Sequence, residues 1–233
     1  MQVSYYAVHV QNYGLESTKE KYRNKKPGIK STPRDFELPP PPLNQGMISY
    51  AAMVEDLDTG FGMILDKLDE LGIKENTYVI FTSDNGGGFR GNHPLKMGKA
   101  DLWEGGIRVP MIVKWPHQGK AGIVSDEPVI STDFFPTILE MLGVEYDANG
   151  IDGKSFTRLV KGQKMNRGSI YWHFPHYSNH GMQSPGGGIR DGDYKLLEYF
   201  ENGTVQLFNL AKDIGEQNDL SKTNVRKTKE LTA

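Results

Sequence analysis

The 233-residue chain contains no cysteine. Disulfide bonds, thiolate zinc sites and a thiol nucleophile are therefore excluded. A strong excess of one charge is missing as well, because 27 basic and 29 acidic residues leave a net charge of −2. No overall field favours a nucleic-acid partner, so we expect no nucleic-acid binding, and recognition of an anion must be local.

Long apolar runs are also missing. No stretch approaches the ~18 consecutive apolar residues of a membrane span, so we expect no membrane-spanning segment. The first residues lack the basic region and the small-residue cleavage site of a signal peptide. Residues Val3 to Val8 instead predict a buried strand that ends at His9. A strand without a lead-in indicates a chain that starts inside a larger fold.

The periodicity of the first 160 residues predicts an α/β layer. Apolar residues recur every three or four positions from Met47 to Leu71, which predicts an amphipathic helix stopped by Gly72. Asp133 is placed to cap a second helix over Phe134 to Leu142. Two runs rich in β-forming residues predict strands, at Tyr78–Thr82 and Met111–Trp115. Strands alternating with helices favour a largely parallel sheet.

The pattern changes after about residue 160. Ser169 to Phe174 predicts a strand, and a glycine-rich loop follows through Gly186–Gly188. Asn202-Gly203 is typical of a type I′ hairpin turn. The strands of that hairpin are expected at Tyr194–Phe200 and Thr204–Leu210.

We therefore expect two domains. Residues 1–160 would belong to the α/β layer, and residues 161–233 would form a small antiparallel sheet beside it. The polar, lysine-rich stretch from Gly14 to Leu43 predicts a long surface loop.

Two polar side chains, Asp84 and Asn85, follow the strand predicted to end at Thr82. Open α/β sheets place their ligands at the carboxyl ends of strands. A carboxylate and an amide oxygen are hard donors that suit calcium or magnesium rather than zinc. The next three residues, Gly86 to Gly88, allow the backbone to turn sharply away. The alternative is an ordinary polar turn, since such turns are common.

Basic and acidic residues follow within about twenty-five positions. Lys99 can neutralise an oxyanion and stabilise charge on a leaving oxygen, although a lysine in a glycine-containing loop is often simply solvated. Glu104 and Arg108 lie four residues apart around two glycines. We interpret them as a buried ion pair that braces the loop before the next strand, rather than as catalytic groups.

Three histidines are further candidates. His9 lies just after the first predicted strand, where a packed or hydrogen-bonded role is the alternative to a catalytic one. His173 and His176 lie among aromatic residues in a stretch that resembles a sugar-contacting patch, although a core strand with surface histidines fits equally well. Together with Arg190 they are candidate substrate-binding residues.

Taken in order, these pieces resemble the type I sulfatase family of the alkaline phosphatase superfamily. Each segment alone is a weak signal, but the ordered set is specific and runs over nearly the whole chain. The matching segments are Tyr-Ala-Val-His at 6–9, Tyr-Ala-Ala-Met-Val-Glu-Asp-Leu-Asp at 50–58, Phe-Thr-Ser-Asp-Asn-Gly-Gly at 81–87, Gly-Lys at 98–99, Trp-Glu-Gly-Gly-Ile-Arg-Val-Pro at 103–110, Ser-Thr-Asp-Phe-Phe-Pro-Thr at 131–137, Ile-Arg-Asp-Gly-Asp-Tyr-Lys-Leu at 189–196 and Glu-Gln-Asn-Asp-Leu at 216–220.

The resemblance implies an activity, a metal and a fold. It implies a sulfuric ester hydrolase in which Asp84 and Asn85 ligate Ca²⁺, and Lys99 and His9 contact the sulfate ester and assist departure of the alcohol oxygen. The implied substrate is a small-molecule or oligosaccharide sulfate ester, most simply a sulfated carbohydrate. The implied fold is part of an alkaline-phosphatase-like α/β/α sandwich with a small C-terminal antiparallel sheet. The sequence itself leaves localisation unknown, and the resemblance implies a periplasmic or secreted full-length parent.

The chain departs from the family at the nucleophile. That residue is a formylglycine made from Cys or Ser in a C/S-x-P-x-R motif, beside two further metal-binding aspartates. The segment Ser31-Thr32-Pro33-Arg34 does not fit, because its arginine comes one residue early. We therefore expect the C-terminal half or so of a sulfatase, which lacks the nucleophile and half of the metal shell and is inactive alone.

Two alternatives remain open. A phosphatase, phosphonate hydrolase or phosphotransferase of the same superfamily is one, although its two-zinc members would favour an Asp-His pair at positions 84 and 85. The other is a non-catalytic carbohydrate-binding or structural protein that has shed its nucleophile.

Overall fold

The computed structural model of the chain describes residues 1–25, 45–88, 92–178 and 183–232. The internal contacts of the chain divide it into two units, Met1–Thr77 and Tyr78–Ala233. The predicted change of architecture near residue 160 falls within the second unit, and a domain boundary there stays a prediction.

The first unit is helical. It contains α1 (Glu16–Arg23), α2 (Gln45–Glu70) and a 3₁₀ turn at Lys74–Asn76. The long amphipathic helix predicted from Met47 is confirmed as α2. Gly72 follows it with a φ of +66°, the left-handed conformation that commonly ends a helix.

The short helix α1 lies in a stretch predicted to be a loop, so that prediction was wrong for Glu16–Arg23. The carboxylate of Asp56, on α2, accepts hydrogen bonds from the Leu15 backbone N–H at 2.7 Å and the Thr18 hydroxyl at 2.6 Å. The first bond satisfies a backbone N–H at the start of α1 that the helix leaves without an internal partner, and both bonds tie α1 to α2. Residues 26–43 of the predicted loop lie outside the described residues.

The predicted first strand is not formed. Residues 3–8 are irregular and turn-like, and most of them are exposed. A strand needs a neighbouring strand for its backbone hydrogen bonds, and the remaining described elements of this unit are helices. His9 therefore follows a turn, and its backbone N–H donates to the Tyr6 carbonyl at 2.9 Å.

The second unit begins with a two-stranded ladder. The strands β1 (Val79–Thr82) and β2 (Met111–Lys114) confirm both predicted strands, but they pair antiparallel. The expected parallel arrangement is wrong for this pair. Parallel strands are usually joined by a crossover helix, and the described part of this connection contains only the single helical turn α3 (Glu104–Ile107).

Two further helices follow, α4 (Phe134–Met141) and α5 (Thr157–Val160). The helix predicted after Asp133 is confirmed, and Gly143 follows it with a φ of +69°.

The carboxylate of Asp133 does not cap α4, so that role was predicted wrongly. One oxygen accepts from the Ile130 N–H at 2.9 Å and the other from the Lys154 N–H at 2.7 Å. Arg167 pairs with the same buried carboxylate at 3.1 Å. These partners occupy both oxygens, so Asp133 joins three segments instead of closing one helix.

A four-stranded antiparallel sheet forms the remainder of this unit, followed by the helix α6 (Val225–Thr232). Its strands, in spatial order, are β3 (Ile170–Phe174), β4 (Gly186–Asp191), β5 (Tyr194–Tyr199) and β6 (Thr204–Asn209). The predicted antiparallel sheet and its hairpin strands are confirmed.

Two details of the sheet differ from expectation. Gly186–Gly188 begins β4 instead of forming a loop. A Cβ at Gly186 would lie 2.6 Å from the carbonyl oxygen of Glu198, so close strand pairing suits glycine there. The β5–β6 connection has four residues, 200–203, rather than the two of a type I′ turn.

The two faces of the sheet carry separate apolar clusters. One face, through Leu197 and Phe208, packs against Leu102 and Trp103 from the loop that precedes β2. The other face, through Leu196 and Leu207, packs against Leu231 of α6. Alternate residues of β5 therefore point to opposite sides. Within the described ranges, no helix has the length and apolar composition needed to cross a membrane.

We expect Asp133→Ala to lower the free energy of unfolding by ~3–5 kcal/mol, because it removes one member of a buried ion pair and strands the Arg167 guanidinium. Urea denaturation of the purified chain measures the change. The control is Asp147→Ala, an exposed aspartate whose carboxylate accepts from the Asn149 N–H, for which we expect ~0.5–1 kcal/mol. Equal losses in the two variants would contradict the assigned role.

Candidate functional site

The carboxyl end of β1 carries the predicted metal ligands. Asp84 is exposed and Asn85 is half-buried, and the Ser83 hydroxyl donates to the Asn85 carbonyl at 3.1 Å. The exposed carboxylate lies at the surface of the loop, and the backbone turns inward immediately afterwards, at the buried Gly86. The side chains at 84 and 85 are thus carried at the rim of a loop whose next residue is fixed inside the protein.

Backbone hydrogen bonds join this loop to the loop of Lys99. The Lys99 N–H donates to the Gly87 carbonyl at 2.8 Å, and the Gly86 N–H donates to the Gly106 carbonyl at 2.9 Å. The Gly105 N–H donates to the Lys96 carbonyl at 2.8 Å. The structure therefore brings together the segments that carry Asp84, Asn85 and Lys99, which the sequence separates by up to fifteen positions.

Glycine is required where these loops cross. A Cβ at Gly86 would lie 1.8 Å from the Gly105 carbonyl oxygen, and one at Gly106 would lie 2.4 Å from the Gly98 carbonyl oxygen. No side chain fits at such distances. The Asn92 amide closes the arrangement by donating to the carbonyl groups of Gly87, Gly88 and Met97 at 2.8–3.0 Å.

A buried charge cluster, formed by Glu104, Lys195 and Glu216, lies beneath the crossing. Lys195 Nζ is 3.0 Å from Glu104 Oε1 and 2.9 Å from Glu216 Oε1. The Glu104 backbone N–H also donates to Glu216 Oε2 at 2.8 Å. All three side chains are at most 2% exposed. Burial raises the pKa of the Glu216 carboxyl, and the Lys195 ammonium opposes that shift.

Sequence reasoning found one weak partner of Glu104 and missed the strong ones. The expected pair with Arg108 is present at 3.6 Å, but the Arg108 side chain is 43% exposed. Lys195 and Glu216 belong to matched segments of the resemblance, yet no feature of the sequence indicates that they meet Glu104. Their separations of 91 and 112 residues along the chain explain why.

Asp101 is a second residue that sequence reasoning missed. Its side chain is 4% exposed, and neither carboxylate oxygen has a hydrogen-bond partner among the described residues. Burial raises the pKa of this carboxyl. Burial also raises the pKa of Tyr199, and the charges of Glu216 and Asp101 add to the effect. Asp101 therefore belongs to the buried side of the Lys99 loop, not to its rim.

His9 lies in the first unit, whereas Asp84, Asn85 and Lys99 lie in the second. Its Nδ1 is 2.5 Å from the Val10 carbonyl oxygen, and its ring centroid is 5.5 Å from that of Tyr6. These contacts describe a histidine held within its own turn. Its assignment to catalysis stays a prediction.

The three predicted substrate-binding residues do not share one surface. Arg190 pairs in register with Lys195, so its side chain lies on the face that packs against Trp103. The ring of His176 contacts Phe174, which packs on that same face. His173 alternates with Phe174 and therefore lies on the opposite face. There it contacts the Phe200 ring at 5.4 Å and lines a groove of about 460 Å³. A substrate role for each residue stays a prediction.

Family models match both parts of the chain. Residues 1–144 match the family described as Sulfatase, and residues 92–232 match the family described as N-sulphoglucosamine sulphohydrolase, C-terminal. The chain belongs to the sulfatase family. The resemblance inferred from its ordered segments is confirmed.

Relatives and solved structures agree with this membership. A protein named Sulfatase from Formosa agariphila is 32% identical over 248 residues, covering 95% of this sulfatase chain and 42% of the relative. The chain thus spans about two fifths of that relative's length.

Solved structures share the fold. Ps i-CgsB in complex with k-i-k-neocarrahexaose has a TM-score of 0.75 and 28% identity, covering 96% of this chain and 48% of that one. BT4656 in complex with its substrate D-glucosamine-2-N,6-O-disulfate has a TM-score of 0.71 and 30% identity, covering 81% and 39%. The alkaline-phosphatase-like fold expected for the sulfatase chain is confirmed.

Asp84 and Asn85 match calcium in donor type but not in number. Among the described residues, no group of three or more His, Asp or Glu side chains could hold a metal ion. Asp84 and Asn85 supply hard oxygen donors of the kind that calcium prefers, on a loop with a fixed backbone, so they fit the ion in chemistry. Two side chains fall short of calcium's usual six to eight oxygen ligands, so the calcium site stays a prediction.

We expect Gly86→Ala to destabilise the sulfatase chain by ~1–3 kcal/mol, because the new methyl group must push the Gly105 carbonyl away. The matched control is Gly88→Ala, where no described atom lies within 4 Å of the added Cβ and a change within ~0.5 kcal/mol is expected. Chemical denaturation compares them. A Gly86→Ala variant as stable as the parent would contradict the close crossing of the loops.

We expect Lys195→Met to cost ~3–5 kcal/mol of stability, because two buried carboxylates lose their shared cation. Lys227 offers a control on the other face of the sheet, where it pairs with the more exposed Asp191 at 2.8 Å. Lys227→Met should cost less than ~1 kcal/mol. The urea midpoints of the two variants provide the comparison, and similar losses would contradict the weight given to burial.

Proposed function

We propose that this chain supplies part of the active site of a calcium-dependent sulfuric ester hydrolase that acts on a sulfated carbohydrate. The observation that carries the proposal is the pair of backbone hydrogen bonds from Lys99 to Gly87 and from Gly86 to Gly106. They hold a loop with two hard oxygen donors against a loop with an ammonium group. A sulfate ester needs both kinds of group, a cation beside its oxygens and support for charge on the leaving oxygen.

Asp84 and Asn85 are the proposed metal ligands. An Asp-Asn pair offers two oxygens and no imidazole, which suits a single calcium ion better than a zinc pair. The bound ion would supply electrostatic stabilisation of the negative sulfate oxygens. The chain's contribution is to present both oxygens from a loop that cannot shift easily, because Gly86 is enclosed by backbone atoms.

Lys99 and His9 are the proposed groups at the leaving oxygen. The ammonium of Lys99 would stabilise the negative charge that develops on the alcohol oxygen, and His9 would hold a proton for that oxygen. For Lys99 the support is the fixed backbone N–H described above. For His9 the support is the family resemblance at residues 6–9.

The proposed substrate class, a sulfated carbohydrate, follows from the sugars bound in solved structures of the same fold. Two of the solved structures that share this fold are complexes with sugars, one of them a disulfated glucosamine. The match to Ps i-CgsB covers 96% of the chain and so takes in nearly all of the four-stranded sheet. We propose residues 161–233, which contain this sheet, as a substrate-shaping domain. His173, His176 and Arg190 are its proposed contact residues, and His173 lies on the opposite face of the sheet from Arg190.

We expect the purified chain to bind Ca²⁺ with a Kd on the order of 1 mM, because two protein oxygens leave most coordination positions to water. Isothermal titration calorimetry measures the affinity. Asp84→Ala and Asn85→Ala should each abolish the signal, and Asp152→Asn, a change at an exposed acidic residue of the same unit, should leave it intact. Binding that survives both ligand variants would contradict the assignment.

We expect the chain to release no 4-nitrophenol from 4-nitrophenyl sulfate, with or without Ca²⁺. The sequence has no cysteine and no C/S-x-P-x-R segment from which a formylglycine nucleophile could be made. Turnover above the rate of a Lys99→Ala control would show that a different residue acts as nucleophile.

A further inference from the structure

The buried charge cluster connects directly to the proposed site through the backbone. Glu104 is followed by Gly105 and Gly106, whose backbone groups bond to Lys96 and Gly86. The Lys96 ammonium in turn donates to the Glu216 carbonyl at 3.2 Å and lies 3.7 Å above the Trp103 ring. The loop of Lys99 is thus anchored at its start, where Lys96 bonds to Glu216, and at its end, where Gly105 and Gly106 follow Glu104.

Each member of the cluster comes from a different part of the second unit. Lys195 is the second residue of β5, Glu104 begins α3, and Glu216 lies in the turn that follows β6. The β5 position is the informative one, because a strand within a four-stranded sheet is a rigid support. The ammonium of Lys195 therefore fixes where the glutamate at the start of α3 can lie.

Stability alone does not account for charged residues at these positions. Buried ion pairs are often replaceable by apolar residues of similar volume without loss of stability, because desolvation offsets much of their attraction. An apolar cluster would, however, lack the directional hydrogen bond from the Glu104 N–H to Glu216 and the fixed distances to Lys195. The cluster supplies a defined position to a loop that is otherwise built of glycines.

We propose that Glu104, Lys195 and Glu216 are positioning residues, which set the Lys99 loop against the Asp84-Asn85 loop through Gly105 and Gly106. The proposal rests on the proposed function for the identity of the site that is positioned. It assigns no contact with substrate to any of the three.

The test uses a neutral variant of the whole cluster, Glu104→Gln/Lys195→Met/Glu216→Gln, which removes the charges without leaving one unpaired. We expect it to keep the circular dichroism of the parent. Exchange of the Gly86 and Lys99 amide protons should accelerate at least tenfold relative to the β5–β6 ladder, and Ca²⁺ affinity should fall several-fold. Lys227→Met is the control and should change neither. A folded triple variant with unchanged exchange and unchanged Ca²⁺ affinity overturns the proposal.

Native-state exchange on the parent chain covers the case in which the triple variant fails to fold. We expect the Gly86 and Lys99 amides to open together with those of β5, at rates within a factor of ten in low denaturant. If they exchange a hundredfold faster through a local opening while β5 stays protected, the proposal is wrong. Absence of Ca²⁺ binding by the parent would contradict the proposed function only, because the exchange measurements do not depend on the ion.

Discussion

One lysine held between two glutamates in the protein interior is the interaction on which the second unit depends. Lys195 is fully buried and lies about 3 Å from both Glu104 and Glu216. An isolated buried charge is very unfavourable, so the three residues are tolerated only together. Because they come from the sheet, the helical turn before β2 and the turn after β6, their pairing fixes three segments at one point.

Glycines next to the buried charge cluster hold the two loops in close contact. At Gly86 and Gly106 a single added methyl group would overlap a backbone carbonyl, so the two loops approach as closely as polypeptide allows. Such contact leaves the loops little freedom to move independently. The side chains at positions 84, 85 and 99 extend from these two loops, so their backbone is ordered before any ligand binds. Preorganised groups of this kind are what electrostatic catalysis requires.

Local patterns in the sequence predicted most of the regular structure, and non-local contacts account for the errors. The apolar period of α2 and the β-rich runs of β1, β2 and β3 depend only on residues close in sequence, so these elements could be predicted. The strand β4 was missed because Gly186–Gly188 looks like a loop, and only its pairing with β3 and β5 makes it a strand. The direction of the β1–β2 pair depended on how a largely irregular connection runs, which periodicity does not encode.

The candidate site divides in the same way. The order of the motifs identified the family and the rim residues 84, 85 and 99, because Asp, Asn and Lys side chains indicate metal and anion binding from their chemistry alone. Lys195, Glu216 and Asp101 were missed, since a buried charge becomes visible only when its surroundings are known. The side-chain direction of His173 was equally unreadable, because alternation along β3 assigns a face only once Trp172 and Phe174 are seen to pack inward.

The central claim is that positions 84, 85 and 99 form one ion-dependent anion site. A crystal structure of the chain grown with calcium and sulfate tests it most directly. The account predicts one calcium ion within ~2.3–2.6 Å of the Asp84 carboxylate and the Asn85 amide oxygen, with a sulfate between that ion and the Lys99 ammonium. Calcium bound elsewhere, or a sulfate that contacts none of these three side chains, would contradict it.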